Sequence, residues 1–128
     1  QVCQELGVEL LAYSPLALGI LAIPPGVQGN TSTLLRSRLF QRLLPASEDL
    51  RSVMGEIAAK RSASMAQVAL NWCRAHGACP IPGLRRPAQA LDAAAALKWS
   101  LNTTERQALD QLSERTLARM PANPFQSA

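Results

Sequence analysis

The chain has 128 residues, of which 48% are apolar, enough for one domain with a real core. Its formal charge of +4 comes from 11 Arg and two Lys (Lys60, Lys98) spread along the whole length, which fits either a site for an anionic cofactor or a plain basic surface. The pattern excludes three classes: no aromatic–basic interleaving serves nucleic acid, no apolar run nears the ~20 residues of a membrane span, and three cysteines (Cys3, Cys73, Cys79) without CxxC spacing argue for a reducing compartment rather than a disulfide scaffold or zinc site.

The chain opens on Gln1, in what reads as the last turns of a helix, so no leader can be read from it. Gly7 suits the left-handed stop of that helix. Val8 to Tyr13 reads as a strand, apolar on both faces apart from Glu9, the pattern of a parallel strand covered on both sides. Ser14-Pro15 ends it. Residues 22 to 47 begin as a long loop with Pro24, Pro25, Gly26 and Gly29, then pass into a short helix near Leu34 to Leu44.

Ser47 is expected to cap a helix from Glu48 to about Arg61, with Leu50, Val53, Met54, Ile57 and Ala58 as its buried stripe. Ser64 and Gln67 form a capping-box pattern for the next helix, striped by Met65, Val68, Ala69, Trp72 and Cys73. His76 and Gly77 end it. Ala78 to Ile81 is a second strand, Pro87 opens a helix to about Leu97, and Asn102 with Glu105 opens a last helix striped by Ala108, Leu109 and Leu112. The tail from Met120 to Ala128 reads as extended or docked loop. Two strands separated by helices imply a parallel βαβ connection, and two strands do not make an independently stable sheet. The expectation is therefore a piece of a larger α/β domain that lacks its N-terminal part.

Ligands of parallel α/β proteins bind beyond the C-terminal ends of the strands. Tyr13 offers a flat ring there, while Ser14 and the backbone from Leu16 to Gly19 offer donors to pyrophosphate oxygens. The other reading makes Tyr13 a half-buried packing residue and Ser14 a turn residue. At the second strand end, Gly83 permits close backbone approach, and Arg85 and Arg86 precede a helix N-terminus. A ribose 2′-phosphate would suit that site, favouring NADPH over NADH; a solvated arginine pair is the alternative. His76, the sole histidine, fits a helix-end dipole partner better than a general base. Cys73, Trp72 and Trp99 read as packing. No carboxylate pair, GxSxG, GxGxxG or Walker loop is present, and no metal cluster is expected.

The stretches "LLAYSPLALGIL", "AAKRSASMAQVALNWC", "PIPGLRRPAQAL" and "ALKWSL" resemble, in order, the C-terminal part of aldo-keto reductases. A narrower likeness, carried by "ALNWC" and "MPANPFQSA", is to the plant and algal chloroplast branch related to pyridoxal reductase. The resemblance implies an α/β fold: residues 1–128 as the C-terminal portion of a (β/α)8 TIM barrel, with the last two strands, their helices and a C-terminal helix. It implies reduction of a small carbonyl with NADPH, pyridoxal being the first candidate, and a chloroplast location, the cytoplasm being the alternative. Tyr13 would match the nicotinamide-stacking aromatic. Ser14, Leu16 and Gly19 would match the pyrophosphate loop. Gly83, Leu84 and Arg85 would match the 2′-phosphate loop, with Gln89 at the same end and Asp92 where the family usually has Glu near the adenine.

Two departures stand out. Ala93 replaces an Asn that binds adenine, and Ala22-Ile23-Pro24 replaces a usual Thr-Gly-Lys. The family's catalytic Tyr, Lys, Asp and His belong to earlier strands, and Tyr13 is not that Tyr. The isolated chain is accordingly expected to be inactive and poorly stable. The alternative expectation is a non-catalytic nicotinamide-binding regulatory or interaction module. Oligomeric state is not readable.

Overall fold

The computed structural model describes residues 2–29 and 34–116, as six α-helices, two strands and two short 3-10 segments. Helix α1 (Val2–Glu5) stops at Gly7, whose φ of +64° lets the Val8 amide reach back to the Cys3 carbonyl at 2.7 Å. Strand β1 spans Leu10–Tyr13, two residues shorter at its start than the apolar run. A 3-10 segment, Ala17–Ala22, comes next, kinked at Leu18 and Gly19. The expected helix is present as α2, Leu34–Ala46, two residues longer than its apolar run; residues 30–33 of the expected loop lie outside the described residues.

Helix α3 (Glu48–Lys60) begins where expected, but Ser47 does not cap it with its side chain. The Ser47 hydroxyl instead donates to the Leu43 carbonyl at 2.7 Å and accepts from Arg51 Nε at 3.3 Å. The helices α2 and α3 meet almost without a loop, and this junction recruits Ser47 before it can turn to the α3 amides. Leu50, Met54, Ile57 and Ala58 are buried as the periodicity predicts, with Val53 half-buried.

Helix α4 (Met65–Ala75) is the axis of the unit. Ser64 Oγ accepts from the Gln67 amide at 3.1 Å, but the Gln67 side chain completes no box. It donates to Asp92 and accepts from Trp99 instead. Val68 and Ala69 join Met54, Ile57 and Leu109 in the main core; Met54, Val68 and Leu109 are fully buried, each stabilising by about 1.5–3 kcal/mol. A second cluster, Ile20, Phe40, Leu43 and Leu44, packs the 3-10 segment onto α2. Gly77 ends α4 at φ +75°, a left-handed position that suits glycine, and the chain turns straight into β2 (Ala78–Ile81). Helix α5 (Pro87–Ala95) starts on its proline. Helix α6 (Thr103–Arg115) carries the Asn102–Glu105 capping box in full. The tail from Met120 to Ala128 lies outside the described residues. Among the described residues no helix is long and apolar enough to cross a membrane.

The two strands pair in parallel, Leu10 with Ala78 through to Tyr13 with Ile81. The expected cover over β1 is only partial among the described residues: Leu10 and Leu11 are 49% and 56% exposed. An apolar face of this kind is what a further layer would cover.

Helix α6 is held to α4 and to the end of α3 by polar contacts as well as by Leu109. Asp110 Oδ1 accepts from Trp72 Nε1 and lies 2.7 Å from His76 Nε2, both on the α4 side, while Arg61 at the end of α3 forks onto Glu105. His76 stands at the C-cap position of α4, and its ring faces α6. Burial alone would raise the Asp110 pKa, but the hydrogen bonds from Trp72 and His76 and the charges of His76 and Arg106 outweigh it, so the carboxyl sits below its ordinary range.

Leu109→Ala is expected to lower the unfolding free energy by about 2–5 kcal/mol, read from urea denaturation. Because folding depresses the Asp110 pKa, its contribution is present above the unfolded value of about 3.9 and is lost as pH falls through the folded value. The wild-type advantage over Asp110→Asn should therefore be present near pH ~6 and vanish toward pH ~2. An offset that does not change with pH would contradict it.

Candidate functional site

The in-register parallel pairing finishes both strands at one edge, so the loops after Tyr13 and after Ile81 leave side by side, about 4.8 Å apart at their origin. The first loop is unusual in backbone. Ser14, Ala17 and Leu18 have φ of 52°, 47° and 57°, and Gly19 has 95°. Left-handed non-glycine residues cost on the order of 1–3 kcal/mol each and persist only where their surroundings over-determine them. Here the surroundings are short-range bonds, Ala17 N to Ser14 O at 2.9 Å and Gly19 N to Leu16 O at 2.8 Å, and a distant one, Arg36 Nη2 to Leu18 O at 2.6 Å. Backbone that alternates between right- and left-handed forms makes concave, anion-accepting turns.

The second loop is set by a local cap. Gln89 Oε1 accepts from the amides of Arg85 at 2.8 Å and Arg86 at 3.1 Å. Those two amides are therefore spent, and the exposed Arg85 and Arg86 side chains are what remains for an anion. No atom lies within 4 Å of where a Cβ on Gly83 would stand, so the backbone there is open to close approach.

Between the two loops lies a cleft of about 280 Å³. Of the residues singled out by sequence, Leu16, Gly83, Leu84, Gln89 and Asp92 line it, with Ala93 beside them. Tyr13, Ser14 and Arg85 are exposed outside the lining, Tyr13 by 71%, and Gly19 is half-buried against Arg36. Asp92 has both carboxylate oxygens engaged, by Ser64 Oγ at 2.7 Å and Gln67 Nε2 at 2.6 Å. It ties α5 to the start of α4, so its first task is structural. A larger hollow of about 560 Å³ reaches Glu9 and Gly77, toward the start of the strands, and shares Leu84 and Ala93 with the cleft.

Cys73 is half-buried, and that burial pushes its thiol pKa up, the opposite of a reactive thiolate. Among the described residues no group of three or more His, Cys, Asp and Glu is placed to hold a metal.

Sequence reasoning passed over Arg36 and Arg51, which support the first loop. Arg51 is 1% exposed, and its guanidinium reaches the carbonyls of Ile23, Pro24 and Leu44, Ser47 Oγ and the Glu48 carboxylate. One signal was available: positions 47, 51, 54 and 58 are spaced four, three and four apart, so Arg51 extends the apolar face of α3.

The family model for the aldo/keto reductase family matches residues 1–114. Pyridoxal reductase, chloroplastic, of Arabidopsis thaliana is 39% identical over 128 residues, covering 98% of this chain and 34% of that protein. Versiconal hemiacetal acetate reductase of Aspergillus parasiticus is 31% identical over 114 residues, covering 85% of this chain and 33% of that protein. The chain thus spans about a third of the length of these curated relatives. Among solved structures, the glycerol dehydrogenase AKR11B4 from Gluconobacter oxydans superposes with a TM-score of 0.73 at 24% identity, over 98% of this chain and 40% of that one. Both the paired parallel strands and the family match lead to one conclusion: the fold is part of a (β/α)8 barrel, and the chain belongs to the aldo/keto reductase family.

Proposed function

We propose that these 128 residues are the cofactor-gripping part of an NADPH-dependent oxidoreductase that reduces aldehydes or ketones to alcohols. The observation that carries the reading is the pair of loops that leave one strand edge side by side, one with three left-handed non-glycine residues, the other presenting two exposed arginines. The donor set suits a dinucleotide phosphate. Tyr13 presents an open ring face at the strand end, and Ser14 adds an exposed hydroxyl one residue on. Arg85 and Arg86 carry charge suited to a ribose 2′-phosphate, with the open backbone of Gly83 alongside. Leu16 and Leu84 shape the walls, Gly19 gives the first loop its turn outside the lining, Gln89 fixes the second loop, and Asp92 and Ala93 close the adenine end. With Ala93 unable to hydrogen-bond through its side chain and Asp92 engaged by α4, the phosphates carry most of the recognition.

When bound, NADPH supplies the hydride. This chain's residues bind and orient it. Tyr13 is the only tyrosine in the 128 residues and sits on the cofactor edge, so the tyrosine acid that the family resemblance implies would come from outside them. The small carbonyl proposed first is pyridoxal, in a chloroplast, on the strength of the Arabidopsis relative's name. The second reading, a non-catalytic nicotinamide-binding regulatory or interaction module, is favoured by the same single tyrosine. Carbonyl reduction by the 128-residue chain alone would overturn the inactivity proposed for it.

The experiment is a fluorescence or calorimetric titration of the chain with NADPH and NADH. NADPH is expected to bind at least about tenfold tighter, a difference of about 1.4 kcal/mol. Arg85→Ala should weaken NADPH by about 10–100-fold, the ~1.5–3 kcal/mol of a charge-assisted hydrogen bond, and leave NADH within about twofold. Equal affinity of the wild type for both nucleotides would sink the NADPH assignment, and binding of neither would sink the reading.

A further inference from the structure

Arg51 is the most deeply buried charge among the described residues, and a guanidinium cannot shed its proton to escape the cost. Its position is far from the strand edge in sequence, yet two of its hydrogen bonds go to the segment that leaves the first loop. Arg51 Nη1 donates to Ile23 O at 3.0 Å and to Pro24 O at 2.8 Å. Glu48, its ion-pair partner, accepts from the Gly26 amide at 2.8 Å. Together they hold three points in the stretch from residue 23 to 26, immediately after Ala22, which lines the cleft.

Pro24 and Pro25 bring no amide hydrogens, so this stretch has little means of fixing itself through its own backbone. Its internal bond beyond the 3-10 segment, from Val27 N to Pro24 O, is long at 3.3 Å. The strained turn before it, with positive φ at Ala17, Leu18 and Gly19, needs anchors at both ends to keep its shape. Its first end is tied to β1. Its second end has the Arg51–Glu48 clamp.

We propose that Arg51, with Glu48, is a positioning residue for the loop after β1: it sets the loop shape that takes the cofactor's pyrophosphate. This rests on the reading of the loop as a pyrophosphate site. It deepens that reading by assigning affinity for one part of the ligand to a side chain that touches none of it. The second loop depends on its own Gln89 cap and is independent of the clamp.

The test uses two ligands on the 128-residue chain: NADP+, which spans both loops, and adenosine 2′-monophosphate, which engages only the second. Arg51→Met is expected to raise the NADP+ Kd at least about tenfold while 2′-monophosphate binding stays within about twofold. Arg51→Lys, which keeps the charge and one or two donors, should recover part of the loss. Should Arg51→Met not fold, Glu48→Ala decides on the same criterion, with Glu48→Gln as the conservative rescue, since its amide oxygen still accepts from Gly26. Unchanged NADP+ binding, or equal loss of both ligands, overturns the proposal and leaves Arg51 a purely structural residue. If the wild type binds neither ligand, the parent reading fails first and takes the proposal with it.

Discussion

The buried guanidinium of Arg51 is the constraint around which this end of the molecule is arranged. Removing such an ion from water costs several kcal/mol even after relaxation, so every donor must find an acceptor. The acceptors come from three places: the carbonyls of Ile23 and Pro24, the last turn of α2 through Leu44, and the α2–α3 junction through Ser47 and Glu48. Ser47 faces the guanidinium rather than the α3 amides for this reason. The N-terminus of α3 is still served, because Glu48 and Asp49 place negative charge in its first turn. The result is that a proline-rich crossing, a helix end and a helix start are locked by one side chain.

A second organising line runs along α4. One face feeds the apolar core through Val68 and Ala69. Another carries amide side chains that bond to the backbone and side chains of the segment between β2 and α6. Asn71 Nδ2 donates to Ala96 O at 3.0 Å, and Gln67 bridges Asp92 to Trp99. Arg74 adds bonds to Asn71 and to the Ala96 carbonyl. Helix α5 has no buried residue of its own, so these polar ties, rather than apolar burial, set where it lies. Placement of Gln89 and Asp92 on the cleft therefore traces back to Ser64, Gln67 and Asn71.

Most elements were legible because they obey local rules. Gly7 and Gly77 stop their helices at positive φ, Pro87 opens α5, Asn102 and Glu105 close a full box, and Ala78–Ile81 is a strand, as its apolar run between turn residues implies. The two capping failures have different causes. Ser47 is taken by partners as local as the α3 amides, the Leu43 carbonyl four residues back and Arg51 four residues on, because it sits where α2 runs into α3. The Gln67 side chain is taken by Asp92 and Trp99, tertiary contacts that capping patterns do not encode. The site was legible as two loops, because strand ends and turn residues are local. What each residue does in its loop was less so. Asp92 and Gln89 read as ligand-facing by resemblance, and both spend carboxylate or amide oxygens on the protein itself.

The two loops therefore differ in what keeps them in shape. The loop after β2 is self-sufficient, its register fixed by a cap within five residues of chain. The loop after β1 carries three left-handed non-glycine residues and depends on arginines 18 to 28 residues away in sequence. Local stability tracks the contacts that open together, and a loop held by distant side chains opens whenever those helices shift. Any change that loosens the α2–α3 junction is felt at the first loop before the second. In the proposed site the grip on the 2′-phosphate would outlast the grip on the pyrophosphate. Arg85 and Arg86 thus stand on the steadier of the two supports.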